Sequence, residues 1–87
     1  MQPYRVLVSI EVLQLDRPSR RERDGILAFL ESLAENPNRP GDYEERDEAG
    51  RPVQIKIVGD HALTYWADHA VKEVKVTKIE KADRSGL

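Results

Sequence analysis

The sequence predicts an α+β fold, a small twisted antiparallel β-sheet of four to five strands packed on one main helix. Three observations predict it. Pro52 to Val58, His61 to Ala67 and Lys72 to Ile79 alternate apolar and polar residues, which is the period of half-buried strands. Turn residues at Gly59-Asp60 and from His69 onward separate these runs. Between Ser19 and Glu35 the apolar period changes to that of a helix. With 87 residues, 39% of them hydrophobic, there is material for one core, and residues 1–87 read as a single domain.

In chain order, Tyr4, Val6, Val8, Ile10 and Val12 alternate with Arg5, Ser9 and Glu11, so a first strand is expected from Tyr4 to Val12. Leu7 and Leu13 interrupt its polar side, which implies partial cover on both faces. Pro18 stops any continuing element, and Ser19 followed by Glu22 has the spacing of a capping box. Ile26, Phe29, Leu30 and Leu33 then form an apolar stripe widened by Leu27 and Ala34, while Arg23, Asp24, Glu31 and Glu35 stay polar. Asn36-Pro37 ends the helix, because a residue before proline avoids the α region. A rod from Ser19 to Glu35 is about 25 Å long at ~1.5 Å per residue, enough to cross a small sheet. After a loop from Asn36 to Gly41, an acidic strand runs from Asp42 to Glu48, with Tyr43 its only large apolar residue. It connects through Asp47 to Gly50, where Gly50 takes the left-handed conformation. A loop of three or of four residues would send Tyr43 to opposite sides, and both remain open.

The later registers follow from turn length and hydrophobic matching. A two-residue turn at Gly59-Asp60 sets Val58 opposite His61, so Val53, Ile55 and Ile57 share a side with Ala62, Thr64 and Trp66. That side reads as the core side, with Trp66 in it. At the next turn a two-residue loop would bury Glu73 and Lys75 there, whereas a three-residue loop His69-Ala70-Val71 aligns Val74 and Val76 with Trp66 and Thr64. The opposite side then gathers Gln54, Lys56, Tyr65 and Lys75, with Leu63 and Thr77 beside them and His61 at the turn. Ile79 is out of phase with Val74 and Val76, which predicts a bulge or strand end near Lys78.

Composition excludes several function classes. The formal net charge is -2 and the pI about 5.7, so the molecule has no overall basic field and any nucleic-acid role needs a local patch. The absence of cysteine removes disulfides, thiolate metal sites and cysteine nucleophiles, and fits a reducing compartment; the cytoplasm is the expectation. Arg5 interrupts the first apolar run and no ~18 apolar residues occur in a row, so neither an export signal nor a membrane span is expected. Asp60-His61 and Asp68-His69 resemble metal-ligand pairs, but a strand at ~3.3 Å per residue holds them roughly 20 Å apart, too far to share an ion. They read as turn caps, and no metal or cofactor is expected. Arg17, Arg20, Arg21 and Arg23 are interspersed with Asp16, Glu22 and Asp24, the pattern of a solvated helix start.

A strand, a helix ending Leu33-Ala34-Glu35-Asn36-Pro37, the run Gly41-Asp42-Tyr43, then Ile55-Lys56-Ile57-Val58-Gly59, Leu63-Thr64-Tyr65-Trp66 and Glu73-Val74-Lys75-Val76 occur in that order over nearly the whole chain. In this pattern the sequence resembles the RelE/ParE superfamily of type II toxins. The resemblance implies a sheet backed by helix, a cognate antitoxin as partner, and either cleavage of messenger RNA on the ribosome or poisoning of DNA gyrase. The RNA-cutting members use lysines and arginines on the open sheet face. Lys56 matches their apolar-Lys-apolar motif and Tyr65 the aromatic position of the next strand. Gln54 and Ala62 depart from a second lysine and an arginine, Lys81 and Arg84 stand in for terminal basic residues, and the usual helix pair is reduced to one.

Cleavage through a 2′-hydroxyl requires a proton acceptor, stabilisation of phosphorane charge and protonation of the leaving oxygen. Lys56 and Lys75 would stabilise charge, Tyr65 would donate a proton or stack on a base, and His61, with an ordinary pKa of ~6.5, would be the base. Gln54, Lys78, Lys81 and Arg84 complete the expected RNA contacts. Two functional classes result: a toxin that cuts ribosome-held messenger RNA until its antitoxin covers the face, or a catalytically silent module of the same fold that acts on a protein target or pairs only with its antitoxin. The lysines favour the first, and the acidic segment Asp42 to Glu48 favours the second. An unpaired edge on the first strand would also admit a homodimer.

Overall fold

A capping box starts the one helix of the described residues. The Ser19 hydroxyl accepts the Glu22 N–H and the Glu22 carboxylate accepts the Ser19 N–H, at 3.1 and 3.2 Å. The computed structural model describes residues 3–8 and 19–81. Within them the elements are β1 (Arg5–Val8), α1 (Arg20–Glu35), β2 (Tyr43–Arg46), β3 (Pro52–Val58), β4 (His61–Asp68) and β5 (Glu73–Lys81). The expected first strand therefore appears from Arg5 to Val8, and its continuation to Val12 lies outside the described residues.

The fold is α+β, with α1 packed on a five-stranded sheet of order β1-β5-β4-β3-β2. The sheet is mixed and not wholly antiparallel: β1 pairs with β5 in parallel, while the other three pairs are antiparallel. A parallel pair cannot be closed by a hairpin, and here nearly the whole chain separates the two strands. Ile26, Phe29, Leu30 and Leu33 of α1 cover Leu63, Tyr65, Val74 and Val76, with Val6, Val8, Val58 and Ile79 packed around them.

Two turns follow their sequence signatures. Gly59, at φ 59°, opens the two-residue turn that sets Val58 opposite His61. Gly50, at φ 80°, closes a three-residue loop, Glu48 to Gly50, under the bond from the Asp47 N–H to the Arg51 carbonyl. Tyr43 consequently pairs with Ile55 and points away from the helix.

The third turn does not follow the expectation. Asp68 pairs with Glu73, so the connection is the four residues His69 to Lys72, with Lys72 in the left-handed region at φ 54°. The extra residue moves β5 by one position, setting Val74 opposite Ala67, Lys75 opposite Trp66 and Val76 opposite Tyr65. The expected bulge lies between these pairs and Thr64–Lys78, and it returns Ile79 to the helix side opposite Leu63.

The expected core side is also corrected. The helix covers Leu63 and Tyr65, and the face carrying Val53, Ile55, Ile57, Ala62, Thr64 and Trp66 lies away from it. β4 is apolar on both faces, while β3 is apolar on the far face and carries Gln54 and Lys56 on the helix side, so strand period shows which residues share a face without showing which face the helix takes. Tyr65 suits the covered face because its ring meets Phe29 edge-on at 5.4 Å while its hydroxyl donates to the Arg39 carbonyl at 2.9 Å.

Candidate functional site

The residues expected to cut RNA do not form one surface. Tyr65 lies beneath the helix with 1% of its surface exposed, and burial pushes its phenol up to about 12, far from a useful proton donor at neutral pH. His61 is also on the helix side and 4% exposed. Its Nδ1 lies 2.9 Å from the Glu22 carboxylate, which also accepts the Asp60 N–H at 2.8 Å. That backbone bond, the His61 ring and the cap at Ser19 pull Glu22 down to about 2. His61 therefore joins the β3–β4 turn to the start of α1 and does not face the open surface as a base.

The two lysines lie on opposite faces. Lys56 is on the helix side at the sheet margin, its ammonium 3.5 Å from Asp42 and 5.7 Å from the Phe29 ring centre. The Ile57 N–H, and after it Lys56, hold the Asp42 carboxyl below its ordinary value. Lys75 projects from the far face, 3.0 Å from Asp68 and 5.1 Å from the Trp66 ring centre, and its hydrogen bond lowers the Asp68 carboxyl. The Gln54 amide is used at both ends, accepting the Gly41 N–H at 3.0 Å and donating to Glu44 at 2.9 Å. Lys78 is exposed on the far face opposite Thr64, Lys81 is exposed opposite His61, and Arg84 lies outside the described residues. The gathering of Lys56, Tyr65 and Lys75 on one face is thus overturned by the four-residue turn and by the side on which the helix sits.

The far face has its own organisation. Register sets Leu7, Lys75, Trp66, Val53 and Glu45 in one row, with Lys78, Thr64, Ile55 and Tyr43 in the next. Trp66 lies between two cations, the Arg51 guanidinium 3.9 Å and the Lys75 ammonium 5.1 Å from its ring centre. It is half-buried here and is not part of the helix-side core. Val53 and Ile55 are 3% and 5% exposed although they face away from the helix. Beside them Tyr43 remains 47% exposed and forms the wall of a groove of about 440 Å³. Val53, Ile55, Ala62 and Thr64 line that groove.

Its rim is acidic. Glu45, Asp47, Glu48 and Glu80 border it, against Lys78 and Arg46. Asp47 is occupied by the Ala49 and Arg51 N–H groups and by the Arg51 side chain at 3.6 Å. Among the described residues Glu45, Glu48 and Glu80 form no ion pair. An apolar floor under uncompensated carboxylates is suited to holding a chain that is itself apolar and basic. The sequence signal for this site is the apolar row Val53, Ile55 and Ile57 of β3 beside a β4 that is apolar on both faces, since a strand with two apolar faces needs cover on both.

Among the described residues, no group of three or more potential ligands is placed to hold a metal ion, and no helix is long and apolar enough to cross a membrane. No family model matches the chain, and no curated protein or solved structure matches it.

Proposed function

We propose that the protein is a binding module of the toxin type, paired with an antitoxin protein, which works through the sheet face opposite the helix and not by cutting RNA. The observation that carries this reading is that the two amines and the phenol do not converge on one exposed surface. Tyr65 is buried, Lys56 and Lys75 occupy opposite faces, and each lysine is already paired with a carboxylate. Transition-state stabilisation of a phosphorane needs donors that converge on one position. The far face offers instead an apolar groove with exposed Tyr43 at its wall, the composition of a protein-docking surface.

The test is co-expression with the product of the neighbouring reading frame. The module reading expects that product to co-purify, and expects Thr64→Arg, which puts a charge on the groove floor, to weaken the complex at least tenfold while the melting temperature stays within a few degrees. Message length should be unaltered when the chain is induced alone. Truncated messages that disappear in a Lys56→Ala, Lys75→Ala variant would restore the ribonuclease reading and remove this one.

A further inference from the structure

We propose that the free edge of β2 accepts a basic, extended segment of the partner protein as a sixth strand. This names the partner chemistry for the binding-module reading and rests on it. β2 ends the sheet order, and all four of its residues, Tyr43 to Arg46, are exposed. Its hydrogen-bonding phase follows from Pro52. Arg46 lies opposite Pro52, which has no N–H, so that pair exchanges no bonds. The bond from the Asp47 N–H to the Arg51 carbonyl has the same phase. Tyr43, Glu45 and Asp47 therefore bond inward to β3, and Glu44 and Arg46 turn their N–H and C=O groups outward, where another strand could pair with them.

An exposed edge normally carries charge to discourage pairing. Here the charges are nearly all of one sign. Asp42, Glu44, Glu45, Asp47 and Glu48 surround the single Arg46. A second copy of β2 laid antiparallel about Glu45, the residue between the two outward-bonding positions, would bring Glu45 against Glu45, and any acidic strand would be repelled more strongly. A basic strand meets the opposite situation. Side chains on its groove side would reach Glu45 and Glu48, which lack ion-pair partners among the described residues, and the methylene stems of those side chains would lie along Tyr43 toward Ile55. Backbone pairing would supply attachment, and alternating lysine or arginine with valine or isoleucine would supply selection.

The test uses the whole chain, isotope-labelled, titrated with a seven-residue peptide alternating lysine and valine and with its glutamate–valine counterpart. The lysine peptide should shift the amide signals of Tyr43 to Arg46 and slow hydrogen exchange at Glu44 and Arg46. The glutamate peptide should not. Glu45→Lys with Glu48→Lys should weaken lysine-peptide binding at least tenfold without changing the melting temperature, because neither side chain makes a hydrogen bond or ion pair within the described residues. Equal binding of both peptides, unshifted β2 amides, or full affinity in the double variant would overturn the edge assignment. The same double variant separates this inference from the reading beneath it. If the neighbouring gene product binds wild type and double variant alike, the edge assignment fails while the module stands. If the peptide binds as described and no neighbouring product co-purifies, the module reading fails and the edge assignment stands.

Discussion

Tyr65 shows how one side chain redirects the functional reading. On a strand of alternating residues a tyrosine beside a lysine suggests an exposed proton donor, yet its ring is under Phe29 and its hydroxyl donates to the Arg39 carbonyl. That partner is a backbone atom in a loop, which side-chain patterning does not reveal. Tyr65→Phe should cost about 1 kcal/mol in urea unfolding, the ordinary net worth of a buried hydrogen bond. A loss below about 0.3 kcal/mol would mean that the hydroxyl reaches water. Glu22 supplies a second residue-scale expectation. Its pKa is lowered from 4.5 to about 2, so its contribution to stability is present above 4.5 and is lost as pH falls toward 2. Asp42 and Asp68 titrate in the same direction, so the comparison must be between wild type and Glu22→Gln. The stability difference between the two should shrink from about pH 6 to about pH 3, and a constant difference would contradict the clamp formed by Glu22, His61 and the Asp60 N–H.

Among the elements, those with side-chain signatures were legible and the one without was not. The capping box, the helix end at Asn36-Pro37 and the glycine turns at Gly50 and Gly59 all stand where residue type placed them. The β4–β5 turn depends on a left-handed lysine, and lysine carries no mark of that conformation. Hydrophobic matching then selected a shorter loop by pairing Val74 with Trp66, where the structure has Lys75 over the indole. A cation on an aromatic face is favourable, so the lysine that hydrophobic matching excludes from that row is accommodated in it. Left-handed backbone costs a non-glycine residue roughly 1–2 kcal/mol, against roughly 0.5–1 kcal/mol of extra entropy lost by glycine. Lys72→Gly should therefore stabilise the protein by about 0.5–1 kcal/mol, and Lys72→Val should destabilise it, both read from chemical unfolding. The reverse order would place the turn in another conformation.

For the whole molecule, the α+β class and the pairing of β3 with β4 followed from period and turn length, but the side taken by the helix did not. β4 offers two apolar faces, and the choice between them depends on how Tyr65, Trp66 and the shifted β5 fit together. The four-residue β4–β5 turn puts Lys56 and Lys75 on opposite faces, with Asp42 and Asp68 as their respective partners. Their alanine substitutions should consequently be additive in stability to within about 0.5 kcal/mol, as for sites without shared partners. A larger coupling in the double-mutant cycle would return them to one surface. The most direct measurement of the central claim is a proton NOESY spectrum of the folded chain. Cross-peaks should join the Tyr65 ring to Phe29 and the Trp66 ring to Arg51. Cross-peaks from Trp66 to Leu30 and Leu33, with Tyr65 showing none to Phe29, would invert the sheet and contradict the account.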